Sequence, residues 1–151
     1  MKVVVMGCGR VGAALATELS EEGNEVLVLD IDAQAFRFLP DDFRGQTFVG
    51  NGIDVDTLEL IKLRTADAFV STTRGDNRNV MAAQIAKHIF GVNVVATRVF
   101  DPLREEMYRN MGLRTINPTR VQAKRLKHLL EAESDVAAND LVLEWMRQES
   151  V

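Results

Sequence analysis

Residues 2–12 read Lys2-Val3-Val4-Val5-Met6-Gly7-Cys8-Gly9-Arg10-Val11-Gly12. An apolar run of strand length stops abruptly on glycines. A run without polar alternation suits a strand buried on both faces of a parallel sheet. The glycines fit G-x-G-x-x-G. A helix pattern follows at once, with Val11, Leu15 and Leu19 recurring every four residues beside Ala14, and Gly23–Asn24 closes it. Strand, glycine loop and helix in that order are the context that gives the motif meaning. Gly7 makes the tight turn, Gly9 lets the backbone approach a pyrophosphate, and Gly12 lets the helix pack closely on the strand. Amides at the helix start, with Cys8 and Val11 in the same loop, then favour an anion through the helix dipole.

Outward from this motif the chain alternates. Glu25–Leu29 is a second strand, and Asp30 ends it eighteen residues after Gly12. This is close to the ~20-residue spacing at which an acid accepts hydrogen bonds from ribose hydroxyls. A carboxylate there repels a 2′-phosphate, so NAD or another unphosphorylated adenosine ribose is favoured over NADP. Ile31 lies beside it. Asp32 reads either as a second ribose acid or as the N-cap of a short helix over Asp32–Leu39, which Pro40 stops.

Strands over 46–49, 68–70, 92–97 and 113–116 alternate with further helices. One spans Asp54–Ile61 with Asp54 as cap. A long one begins at Asp76 or Asn77 and carries Met81, Ile85 and Ile89 on one face. Asp101–Pro102 opens a helix marked by Leu103, Met107 and Met111, and Asn117–Pro118 opens the last, with Pro at the first helical position. The prediction is an α/β fold: a Rossmann-type, doubly wound, six-stranded parallel sheet in the order 3-2-1-4-5-6, with an extra C-terminal helix. Residues 1–132 form the nucleotide-binding domain and 133–151 an acidic tail.

Ligands of such sheets bind at the carboxyl ends of the strands. Gly50–Asn51–Gly52 after strand three is placed to flank the adenine. Thr72 and Thr73 after strand four carry hydroxyls for ribose or phosphate. Arg10 is either a solvated side chain or a cation over the phosphates. Arg98, closing strand five, either reaches the far phosphates or pairs with Asp76 or Asp101. Asp76 and Asn79 either cap the next helix or touch ligand.

Composition agrees with one cytoplasmic domain. The 151 residues are 46% hydrophobic and 26% charged, with a single cysteine, Cys8. No apolar stretch approaches the ~18–20 residues of a membrane span, so no direct membrane insertion is expected. The net charge of −4 suggests no nucleic-acid partner. It lies in the tail: six acids oppose Arg147 over residues 131–151, while the first 130 residues sum to +1. Catalytic groups are scarce. Tyr108 has no lysine four residues later, His88 and His128 read as surface residues, Cys8 has no histidine beside it, and no metal-ligand spacing occurs. The length leaves no room for a substrate domain. Non-enzymatic nucleotide binding is therefore expected. Its rivals are a minimal NAD-dependent oxidoreductase with an intersubunit site and a soluble redox or energy sensor.

Several stretches together resemble a known family. They are the G-x-G-R-x-G loop of Gly7, Gly9, Arg10 and Gly12; EVLVLDID with Asp30; FVGNGIDVDTLELIKLRTADAFVSTTRGDNRNVMAAQIAK; VVATRVFDP; and MGLRTINPT. Over about residues 1–125 the chain resembles the N-terminal nucleotide-binding (RCK, or TrkA-N) domain of Trk/Ktr-type potassium-uptake regulators. The resemblance implies NAD(H) or ADP/ATP bound as a regulatory ligand. It implies dimers that assemble into a tetrameric or octameric ring, with a membrane-embedded potassium transporter or channel subunit as partner. The location implied is cytoplasmic and peripheral to the inner face of the cell membrane. In such rings the last helix packs on a neighbouring subunit, a role that Leu126, Leu129 and Leu130 suit. Many members continue into a small C-terminal regulatory domain. With the sequence stopping at Val151, that domain is expected to be absent. Asn51 stands where Asp is common, and Trp145 in the tail has no counterpart role.

Overall fold

Lys2–Met6 (β1) is the central strand of the computed structural model, which describes residues 1–131. Its side chains alternate between two separate cores. Val4 and Met6 enter one with Leu29, Leu58, Phe69 and Ala83. Val3 and Val5 enter the other with Ala13, Ala16, Val26 and Val28. A strand buried on both faces needs no polar alternation, which is why residues 3–6 are uniformly apolar.

Around β1 lie β2 (Glu25–Asp30), β3 (Gln46–Val49), β4 (Ala68–Ser71), β5 (Val94–Arg98) and β6 (Arg114–Ile116). All pairings are parallel, in the order β3-β2-β1-β4-β5-β6, so the expected doubly wound sheet is what forms. Val4 sits between Leu27 on β2 and Phe69 on β4. The strand order reverses between β1 and β4, and a crevice opens there at the carboxyl ends.

The helices are α1 (Arg10–Glu21), α2 (Val55–Leu60), α3 (Asp76–His88), α4 (Pro102–Asn110) and α5 (Pro118–Glu131). Side chains close their starts where the sequence indicates. Asp54 accepts from Thr57 N at 3.2 Å, Asp101 from Leu103 N at 2.9 Å and Asn117 from Arg120 N at 2.8 Å. Asp32 likewise accepts from Gln34 N at 2.9 Å, but the turn it starts, Ala33–Phe38, is 3₁₀ rather than α.

The helix faces differ from the apolar periodicity. On α1 the buried residues are Gly12, Ala13, Ala16 and Ser20, while Val11 is 54% exposed and Ala14 is exposed. Leu15 and Leu19 only flank that core. On α3 they are Asn79, Val80, Ala82, Ala83 and Ala86, whereas Met81 and Ile89 are exposed and Ile85 is half-buried. On α4 Glu105 and Tyr108 turn inward, and Leu103, Met107 and Met111 turn outward. A helix lying on branched strand side chains comes close only through small residues, so the larger ones are displaced to the rim. The last helix, α5, buries nothing. The expected tail of residues 133–151, with Trp145, lies outside the described residues.

Candidate functional site

A cleft of about 770 Å³ opens at the carboxyl ends of β1, β2, β4 and β5. Its floor is the glycine loop. Gly7 adopts φ +100°, a conformation that favours glycine, and a Cβ there would lie 2.9 Å from Thr73 N. Two bonds hold this turn: Gly7 N donates to Leu29 O at 2.8 Å, and Thr72 Oγ1 donates to Gly7 O at 3.0 Å. A Cβ at Gly12 would stand 1.9 Å from Gly7 O. Gly12 therefore lies beneath the loop and not on the cleft wall. Nothing lies within 4 Å of the position a Gly9 Cβ would take, so a ligand can reach this backbone directly.

Gly9 is also the N-cap of α1, where no side chain caps the helix and no acid lies in the first turn. Amides and the positive end of the dipole therefore remain open to an anion. Cys8, Arg10 and Val11 line the same wall. Burial, and then the charge of Asp30, push the Cys8 thiol up to about 11. At neutral pH it is a protonated, unreactive packing group.

On the β2 side, Asp30 Oδ2 accepts from Cys8 N at 2.7 Å and Oδ1 from Asp32 N at 3.0 Å. Asp30 thus fixes the glycine loop while keeping further lone pairs for a ligand donor. Asp32 lines the cleft as well as capping its turn. Ile31, 56% exposed, lines it too. Gly50 and Gly52 also belong to the wall, but Asn51 does not. Its Oδ1 turns back to Ile53 N at 3.3 Å.

On the β4–β5 side, Thr72 and Thr73 line the cleft. Asn79 is fully buried and organises this rim. Its Oδ1 accepts from Thr73 N at 2.9 Å and Thr73 Oγ1 at 2.6 Å, and its Nδ2 donates to Thr73 O at 2.8 Å and Arg98 O at 3.0 Å. Asp76 accepts from Phe100 N at 2.9 Å and Asp101 N at 3.1 Å. These two residues therefore tie loops together and do not face the ligand space. Arg98 lies in the cleft but pairs with neither Asp76 nor Asp101. One terminal nitrogen donates to Thr73 O at 2.8 Å, the guanidinium lies 4.6 Å over the Phe100 ring, and Nε is buried with no partner. Burial holds its pKa below the usual guanidinium value, against the opposing charge of Asp76.

Ala35, Arg37, Phe38, Arg74, Arg78 and Phe100 also line the cleft. Arg74 directly follows Thr73 at the strand-four end, so the edge argument that selected Arg98 applied equally to it. No residue pattern marks Arg37 or Phe100. Tyr108, His88 and His128 lie outside the cleft wall, and Tyr108 OH accepts from Arg104 at 2.6 Å. Among the described residues no helix is long and apolar enough to cross a membrane.

The family model of the TrkA-N domain matches residues 3–118. The Trk system potassium uptake protein TrkA of Streptomyces coelicolor is 42% identical over 136 residues, which is 89% of this chain and 61% of that protein. The chain spans about three-fifths of the length of this and several other curated relatives it matches, and about a fifth of others. Among solved structures, the Kef C-terminal domain of Shewanella denitrificans in its AMP-bound form superposes with a TM-score of 0.74 at 20% identity, covering 99% of this chain and 94% of that one. The GsuK channel bound to NAD superposes with a TM-score of 0.67 at 15% identity over 80% of this chain and 22% of that one. At these identities the solved structures share the fold.

Proposed function

The chain belongs to the TrkA-N domain family, and on that premise we propose that it is the nucleotide-sensing part of a potassium-transport regulator. The observation that carries this reading is the cleft itself. An uncapped helix start over the glycine loop faces Asp30 on one side and Arg98 on the other. The amides of the loop and Arg10 hold the ligand phosphates. Asp30 accepts from the ribose hydroxyls, with Asp32, Ile31 and Gly52 around the adenosine. Thr72, Thr73 and Arg98 meet the far end. The ligand is NAD(H) or ADP/ATP, bound and released unchanged.

The domain occupies residues 1–132 and self-associates, as dimers and then a tetrameric or octameric ring, on the cytoplasmic face of a membrane-embedded potassium transporter or channel. Ligands that differ at their far end favour different arrangements of the ring, because a ligand shifts such an equilibrium only through differential affinity. The relatives named for potassium uptake support this reading, as do the AMP- and NAD-bound fold neighbours. Calorimetric titration of the wild type with adenine nucleotides should give saturable binding that Asp30→Ala weakens at least tenfold. Unchanged affinity in Asp30→Ala would remove the site assignment.

A further inference from the structure

The cleft has two chemically unlike halves. Because β1 lies between β2 and β4, the glycine loop separates them. Both carboxylates of the wall, Asp30 and Asp32, lie on the β2 side, where Arg37 is the cation beside them. Beyond the glycine loop the wall holds Arg74, Arg78 and Arg98 and no acid. Arg74 stands in the loop after β4, and Arg78 in the first turn of α3. Both are exposed, and neither forms an ion pair or a side-chain hydrogen bond with another described residue. Arg98 adds its buried, unpartnered Nε.

A ligand whose ribose meets Asp30 crosses the glycine loop with its phosphates and ends among these three cations. We infer that Arg74 and Arg78 are specificity-determining residues, which make the far half of the cleft an anion subsite selecting nucleotides with free terminal phosphates over NAD⁺. Past the first phosphate, ATP presents the most negative charge, ADP less and NADH less again. NAD⁺ brings a cationic ring into the same space. Guanidinium groups bind terminal phosphates by paired, charge-assisted hydrogen bonds, and a cationic ring gains nothing from them. This ranking rests on the nucleotide-binding reading above and adds the order of ligands to it.

The test is calorimetry on the full chain with AMP, ADP, ATP, NADH and NAD⁺ at fixed ionic strength, repeated on R74Q/R78Q. The expected wild-type order is ATP, ADP, NADH, NAD⁺. In R74Q/R78Q the ATP-to-AMP affinity ratio should fall by roughly tenfold, with AMP itself unchanged. Raising salt should shrink the wild-type ratio in the same direction, since these arginines are exposed. Equal wild-type affinity for ATP and NAD⁺ overturns the inference, as does a variant that weakens AMP and ATP by one common factor. Both outcomes leave nucleotide binding standing. If the wild type binds none of the five ligands, the nucleotide reading falls and this inference falls with it.

Discussion

Helices α3 and α5 are of similar length and meet opposite fates. Over its 13 residues α3 buries five, and four of them are Val80, Ala82, Ala83 and Ala86. Over its 14 residues α5 buries none, although its apolar side chains are larger. Leu126 is 60% exposed and Leu130 87%. Only the start of α5 is anchored. Asn117 Nδ2 and Thr119 Oγ1 donate to Phe100 O at 3.3 and 2.9 Å, and Arg120 approaches the buried Glu105 at 3.8 Å. Side-chain size therefore predicts burial poorly here. What decides it is whether the sheet lies beneath, and small residues are the ones that let a helix lie there.

Four experiments break or sharpen this contrast. The largest effect is expected at Asn79 on α3. Asn79→Ala strands Thr73 N and Arg98 O at the cleft rim, leaves Thr73 O to the Arg98 guanidinium alone, and should cost about 3 kcal/mol in denaturant unfolding. Nucleotide affinity should fall with it, because the rim loses its fixed position. Retention of full stability would show that water replaces the side chain.

Next comes Ala83→Leu, which pushes added volume against the strands and should cost about 2 kcal/mol. If α3 tolerates it without loss, close approach is not what selects alanine there. By the same contrast, Leu126→Glu with Leu130→Glu should move the unfolding free energy by less than ~0.5 kcal/mol. Its effect belongs to light scattering, where the mass should drop to that of a monomer. A destabilised monomer would mean that α5 packs within its own chain.

The smallest effect concerns Cys8, where the sheet meets the loop. Its thiol is raised from an ordinary value of 9.0 to about 11, so the folded state holds the proton more tightly than the unfolded chain. That contribution is complete below pH 9 and is lost as the pH rises towards 11. Comparing wild type with Cys8→Ala by thermal unfolding across this window should show a steeper alkaline decline in the wild type. Parallel curves would contradict the assigned burial of the thiol.

Much of the scaffold was legible because its signals are local. The apolar run 2–6, the spacing of Gly7, Gly9 and Gly12, and Asp30 at the end of β2 each constrain the backbone within a few residues. Caps at Asp54, Asp101 and Asn117 were legible for the same reason: the side chain bonds an amide only two or three residues ahead. The cleft was only partly legible. Asn51 belongs to a loop correctly placed at the edge, yet its side-chain oxygen accepts from Ile53 N two residues ahead, a local turn that an Asn-Gly pair permits as readily as a ligand contact. Asn79 offered two local readings and does a third thing, joining Thr73 to Arg98 across adjacent strands.

By itself, then, the sequence determined the order of strands and helices, the nucleotide-type loop and the acid that faces it. These are set by covalent neighbours and by the period of each element. The tertiary structure decided which face of each helix meets the sheet. Periodicity marks an apolar stripe but does not say how near the strand backbones must come. It also decided that Arg74, Arg78 and Arg98 share one half of a cleft whose other half holds Asp30 and Asp32. Charges far apart along a chain become one field only when the sheet brings its strand ends together.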